Sequence, residues 1–291
     1  MLTGSLVALV TPMREDGQVD FPALKRLVDF HIEQGTAGIV AVGTTGESPT
    51  LTHEEHRAVV QTVAQHAAGR VTVIAGAGAN ATAHAVELAR DMQAAGADML
   101  LSVAPYYNKP SQEGLYQHFR AQAEAVALPV LLYNVPGRTV ADLSNDTILR
   151  LAQIDNIVGL KDATGNLARH ADLTRHAPAD FALYSGDDST SLAYLLSGGH
   201  GVISVTANVA PRLMSRLCLA AQAGDIPLAR SCNAMLQDLH QRLFIEPSPA
   251  PSKWALARLG LIQNGIRLPL MPLTDASQPL VEAAMKQAEV I

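Results

Sequence analysis

Eight short apolar runs recur along the first 205 residues, and this repetition constrains the fold more than any other feature of the chain. They are Ser5–Val10, Gly38–Val42, Val71–Ala75, Met99–Val103, Val130–Tyr133, Ile157–Lys161, Phe181–Ser185 and Gly201–Val205. Each is apolar at consecutive rather than alternate positions, the pattern of a strand buried on both faces in a parallel sheet. Longer amphipathic segments fill the intervals, among them Asp20–Gly35, Thr52–Ala68, Thr82–Gly96 and Gln112–Ala127. Thr52 ahead of Glu54 and Glu55 reads as a helix start: a hydroxyl for a free N–H, then acids against the helix dipole. Gly35, Gly69 and Gly96 stand where helices stop.

Eight strand–helix units in succession predict an α/β protein, a (β/α)8 TIM barrel. An open doubly wound sheet is the competing arrangement. The first βα turn lacks the Gly-x-Gly-x-x-Gly that such a sheet uses to hold a dinucleotide. After the eighth unit the strand-like runs end. Residues 1–224 are expected to form the catalytic barrel and 225–291 a small C-terminal helical domain of three helices. The Pro-rich joint Glu246-Pro-Ser-Pro-Ala-Pro251 separates the first of these from the second.

Composition narrows the function. A net charge of -6 argues against a nucleic-acid partner, which needs a basic surface for phosphates. No apolar run approaches the ~18 residues of a membrane helix, and the N-terminus lacks the basic region of a signal peptide. Two cysteines, Cys218 and Cys232, make neither a disulfide framework nor a zinc site, and both read as inert thiols on helices. The expectation is a cytoplasmic protein with no membrane partner and no zinc site.

Barrels of this kind place their chemistry at the C-terminal ends of the strands. The second run leads into Gly43-Thr44-Thr45-Gly46-Glu47-Ser48, two hydroxyls between glycines that let backbone N–H groups turn toward a small anion. An ordinary turn is the alternative there. The fourth leads into Pro105-Tyr106-Tyr107-Asn108, where a phenol can shuttle a proton or pack against a neighbouring helix or subunit. The fifth leads into Tyr133-Asn134-Val135-Pro136-Gly137-Arg138-Thr139. Tyr133 should point its hydroxyl into the mouth, and the Arg138 guanidinium suits a carboxylate or a surface salt bridge.

The sixth run ends in Lys161. Of five lysines, Lys25, Lys109, Lys161, Lys253 and Lys286, only this one closes an apolar strand. An ammonium is badly placed there, whereas a neutral amine there can attack a carbonyl and form a Schiff base. A structural pair with Asp162 or Glu47 is the competing reading. The seventh run ends in Ser185-Gly186-Asp187-Asp188, whose acids would repel phosphate and read best as caps of the next helix. Thr206-Ala207-Asn208 after the eighth offers no glycine nest, so no phosphorylated substrate is expected.

Three motifs together, Gly43-Thr44-Thr45-Gly46-Glu47, Tyr133-Asn134-Val135-Pro136-Gly-Arg138-Thr139 and Gly159-Leu160-Lys161-Asp162-Ala163-Thr164-Gly165, resemble the pyruvate-dependent Schiff-base lyases, the N-acetylneuraminate lyase family. Within it the chain is most similar to the dihydrodipicolinate synthases, over essentially its whole length to the Pro-rich joint and Trp254. The resemblance implies that Lys161 forms an imine with pyruvate. The derived enamine attacks the aldehyde of L-aspartate 4-semialdehyde, and cyclisation gives 4-hydroxy-tetrahydrodipicolinate, an early step of lysine and diaminopimelate biosynthesis. It also implies a homotetramer, a dimer of dimers, with no metal and no organic cofactor. Tyr133, Thr44 and Tyr107 match the proton relay, with Tyr107 crossing a tight dimer interface. Thr45 matches the grip on the pyruvate carboxylate, Arg138 that on the semialdehyde, and Gly186 and Ile203 match backbone positions lining the site.

Feedback-sensitive members bind L-lysine at positions matching Ser48, Pro49, His53, His56, Asn80, His84 and Tyr106. They usually carry glutamate where His84 stands and often alanine where Pro49 stands. A neutral imidazole gives the ligand's ammonium no counter-charge, and a protonated one repels it, so weak or absent lysine inhibition is expected. Sister lyases acting on sialic acid or keto-sugar acids share the lysine and tyrosine, but Arg138 suits a short substrate with a second carboxylate. A barrel that only binds a keto acid is the remaining alternative, opposed by the intact set of Lys161, Tyr133, Tyr107 and Thr44.

Overall fold

Each apolar run becomes a strand. The computed structural model describes all 291 residues. Its strands are β1 (Gly4–Ala8), β2 (Gly38–Ala41), β3 (Thr72–Gly76), β4 (Met99–Val103), β5 (Val130–Asn134), β6 (Ile157–Asp162), β7 (Ala182–Ser185) and β8 (Gly201–Ser204). They pair in sequence order, all parallel, and close with β1 on β8, Leu6 opposite Ile203. The predicted (β/α)8 barrel is therefore the observed one.

The strands are apolar throughout because alternate residues serve two cores. Leu6, Val40, Ile74, Leu101, Leu131 and Ile203 fill the inside of the barrel. Their neighbours Val7, Ile39, Val73, Leu100, Leu132 and Val202 face the surrounding helices. Full burial of one such side chain contributes about 1.5–3 kcal/mol, so both faces favour the closed sheet. The Asn208 side chain fastens the seam. It accepts from Val10 N at 3.0 Å and donates to the Ala8 carbonyl at 2.8 Å and the Val205 carbonyl at 2.9 Å.

The helices in chain order are α1 (Phe21–Glu33), α2 (His53–Ala67), α3 (Thr82–Ala94), α4 (Gln112–Glu124), α5 (Pro136–Thr139) and α6 (Asn145–Leu151). They continue with α7 (Leu167–His176), α8 (Ser191–Leu196), α9 (Pro211–Gln222), α10 (Ile226–Arg242), α11 (Ala250–Arg258) and α12 (Gln278–Gln287). Thr52 caps α2 in a reciprocal capping box with Glu55. Helix α5 is a single turn inside the loop after β5, and it carries Arg138.

Three helices follow Gly224, as the sequence predicts, and α11 already begins at Ala250, inside the Pro-rich joint. They share the outer core of the barrel: Leu236, Leu256, Val281 and Met285 belong to the same buried cluster as Val7 and Leu217. No helix is long and apolar enough to cross a membrane.

Candidate active site

Neighbouring strands β5 and β6 bring Tyr133 directly opposite Lys161. The lysine Nζ lies 4.4 Å from the centre of the tyrosine ring. Lys161 is 6% exposed, and no carboxylate lies within ion-pairing distance of it. Both acids that could have paired with it are engaged elsewhere. Asp162, one residue on and facing the other way, accepts from Thr164 N at 3.0 Å and lies 3.9 Å from Arg169. Burial raises its carboxyl above the ordinary value. Glu47 pairs with Lys253. Gly186 makes room for the amine's stem, since a Cβ there would sit 2.9 Å from Lys161 Cε and 2.8 Å from Ala163 Cβ.

A cavity of about 320 Å³ opens above this pair. Thr44, Thr45, Tyr133, Arg138, Lys161 and Gly186 all line it. Six of the eight residues singled out for catalysis and substrate binding thus converge. Ile203 is fully buried inside the barrel and is not on the cavity wall. Tyr107 is 88% exposed and also lies off the wall, its N–H 3.4 Å from the Thr139 carbonyl. The wall includes His240 and Gln241 of α10 and Phe244 and Ser248 after it, which sequence reasoning missed. Helical periodicity locates α10 but not which of its turns overhangs the mouth. His240 Nδ1 meets Thr206 Oγ1 at 2.9 Å, and burial holds the imidazole below its usual pKa.

Thr44 and Thr45 sit in a tight 3-10 turn, Thr44–Gly46, flanked by two non-glycine residues in left-handed conformation, Val42 (φ 54°) and Glu47 (φ 59°). Gly76 tolerates the first: a Cβ there would lie 2.1 Å from the Val42 carbonyl oxygen. Thr11 Oγ1 donates to the Gly46 carbonyl at 2.7 Å.

The two aspartates after β7 divide their work. Asp187 closes a turn onto Thr190, accepting from its N–H at 3.0 Å and its hydroxyl at 2.6 Å. Asp188 does not cap the next helix, contrary to the sequence expectation. It accepts from Val205 N at 2.9 Å and Thr206 N at 3.0 Å, tying the β7 loop to the β8 loop. No group of three His, Cys, Asp or Glu side chains is arranged to hold a metal ion. Cys218 and Cys232 are buried on α9 and α10, and burial pushes both thiols up, away from the reactive thiolate.

The residues matched to lysine binding are only partly brought together. Ser48 and His56 line a small pocket of about 40 Å³ that also touches Thr44 and Tyr133. His56 Nε2 donates to the Gly76 carbonyl at 2.8 Å. His53 pairs with Asp91 at 2.7 Å. The Asn80 carbonyl accepts from Asn108 Nδ2 at 2.7 Å. Pro49, His84 and Tyr106 lie on the surface, outside that pocket.

An amine without a counter-ion, beside a phenol and facing an open cavity at the mouth of a (β/α)8 barrel, defines a class: a barrel lyase. The whole chain agrees with that. Residues 1–288 match the model of the dihydrodipicolinate synthetase family, and the chain belongs to that family. It is 66% identical over 291 residues to the 4-hydroxy-tetrahydrodipicolinate synthase of Laribacter hongkongensis, covering 100% of both chains. It is 62% identical over 290 residues to that of Aromatoleum aromaticum, covering 100% of this chain and 99% of the relative. Among solved structures it superposes on a chloride-inhibited dihydrodipicolinate synthase from Acinetobacter baumannii in complex with pyruvate. The TM-score is 0.98 at 53% identity, with 100% of each chain covered.

Proposed function

We propose that the chain condenses pyruvate with L-aspartate 4-semialdehyde to 4-hydroxy-tetrahydrodipicolinate through a Schiff base on Lys161. The observation that carries this is the Lys161 amine: buried, free of any acid, and open to the cavity beside Tyr133. Its nitrogen attacks the keto carbon of pyruvate, and the carbonyl oxygen leaves as water. Loss of a methyl proton turns the imine into an enamine, whose carbon attacks the aldehyde of the second substrate. The amino group of that substrate then adds to the imine carbon and releases Lys161 as a free amine.

Each proton needs a carrier near the reacting atoms. Tyr133 and Thr44 supply hydroxyls on the cavity wall. Thr45 holds the pyruvate carboxylate in the turn, Gly186 lets the bound keto acid approach, and Arg138 receives the carboxylate of the semialdehyde. Ile203 contributes from beneath through the backbone of β8. Tyr107 lies off its own cavity, so its part in the relay is played in a neighbouring subunit. The working assembly is a homotetramer, a dimer of dimers, in the cytoplasm, and no metal or organic cofactor enters the scheme.

Borohydride reduction in the presence of pyruvate, followed by peptide mass spectrometry, tests the reading. A reduced pyruvate adduct on the Lys161 peptide is expected, and turnover should require the semialdehyde. Absence of the adduct from active protein would remove the Schiff base.

A further inference from the structure

Glu47 and Lys253 form an ion pair across 206 residues of sequence, and both side chains are fully buried. The Lys253 ammonium also donates to the Gly265 carbonyl at 2.8 Å. The second Glu47 oxygen accepts from Arg267 N at 3.3 Å. Arg267 fixes the far end of this segment. Its guanidinium forks onto Glu55 at 2.6 Å through two nitrogens, and donates to the Thr50 carbonyl at 2.7 Å and the Gly17 carbonyl at 2.8 Å. The C-terminal segment 253–267 therefore holds the loop after β2 from both sides of Glu47.

Glu47 is the residue that ends the Thr44–Gly46 turn, and its left-handed backbone costs on the order of 1 kcal/mol or more. Such a conformation persists only where its surroundings over-determine it. A well-packed apolar pair would support the fold as well as a buried ion pair does. What the charges add is direction: the carboxylate has one place to point, and the turn that carries Thr44 and Thr45 follows from it.

We propose that the Glu47–Lys253 pair positions the Thr44–Thr45 turn for the carboxylate of the keto acid, which makes the C-terminal segment a working part of the site. Neither residue lines the cavity, so both are positioning residues. The inference rests on the functional reading above, in which Thr45 grips pyruvate.

Removing one partner alone strands a buried charge and can unfold the chain. The decisive variant is the double exchange Glu47→Gln with Lys253→Met, which removes both charges at nearly constant volume. It should melt within a few degrees of the parent. Its KM for pyruvate should rise about tenfold or more, because a small misplacement of a binding turn is costly. Its kcat should fall as well, because Thr44 on the same turn carries protons, whereas its KM for the semialdehyde should change far less. Glu282→Gln, which breaks exposed pairs with Lys286 and Arg258, serves as a control and should leave all three constants unchanged. A double variant with parental stability and a parental KM for pyruvate would overturn the positioning role. A general loss of stability with no selective change in KM for pyruvate would do the same, since it would mark the pair as scaffold alone. A parent that forms no trapped pyruvate adduct would instead sink the functional reading and this inference with it.

Discussion

Two lysines are buried in this barrel, and they differ in what meets them. Lys253 of α11 is 0% exposed, with a carboxylate and a carbonyl on its ammonium. Burial pulls that ammonium below the ordinary lysine value, and Glu47 works against the pull. Lys161 of β6 is nearly as buried but has only the face of Tyr133 and an open cavity beside it. Burial therefore does not mark an amine for chemistry. The absence of a counter-ion does, because an ammonium locked to an acid cannot attack a carbonyl, while an amine at a cavity wall can be met by one.

The largest expected effect falls on the cavity side. Lys161→Ala should lower turnover by ~10³-fold or more and abolish the trapped adduct. Its melting temperature should stay near the parent's, since the side chain ends in the mouth. An adduct of normal yield in that variant would erase the distinction between the lysines. On the other side, Lys253→Met should destabilise by about 3–5 kcal/mol by leaving Glu47 without a counter-charge. For a chain of this size that lowers the melting temperature by roughly 10 °C. Chemical denaturation checks it, and parental stability would show that the pair is dispensable.

Acid attacks the scaffold without any mutation. Burial pulls His31 down to about 3 and His118 down to about 4. In the unfolded chain each takes up its proton near pH 6.5, but in the native state only well below that. Their contribution is fully present above about pH 6.5 and is lost as pH falls toward the folded values. At pH 5 the loss is about 2 kcal/mol for each histidine. A melting temperature flat between pH 7 and pH 5 would contradict this. The smallest effect belongs to the rim of the mouth. Arg138→Ala should raise the KM for the semialdehyde about tenfold, the loss of one charge-assisted contact, with little change for pyruvate. Equal shifts in both constants would deny Arg138 its selectivity.

Lys161 can be read from the sequence because the signal is local: one ammonium at the end of an apolar strand, where no ordinary packing wants it. The eight strands are readable for the same reason, since continuous apolar runs need a sheet covered on both faces. Lys253 is opaque by the same measure. It stands in Pro-Ser-Lys-Trp at the start of a helix, and nothing nearby shows that a carboxylate 206 residues earlier will bury it. His240 and Phe244 are hidden likewise, because the overhang of α10 is decided by its packing on α9. Asp188 looks like a cap from its neighbours in sequence, but its partners are the backbone of the next loop. Tyr107 stands out in the sequence as one of a tyrosine pair after the fourth strand, whereas its exposure on its own chain follows from the packing of that loop, which the pair does not reveal.

The seam of the barrel carries a consequence for synthesis. Asn208 reaches Ala8 across 200 residues, and Arg267 reaches Glu47 across 220. A chain emerging from the ribosome has β1 long before it has β8, so an unpaired strand edge stays open through most of translation. Such distant contacts are also the slowest to form. The threonine turn waits longer still, until the last part of the chain has been made and docked. A nascent barrel of this kind is therefore both adhesive and inert until the last stretch of its synthesis, and its demand on chaperones should peak just before the last helices appear.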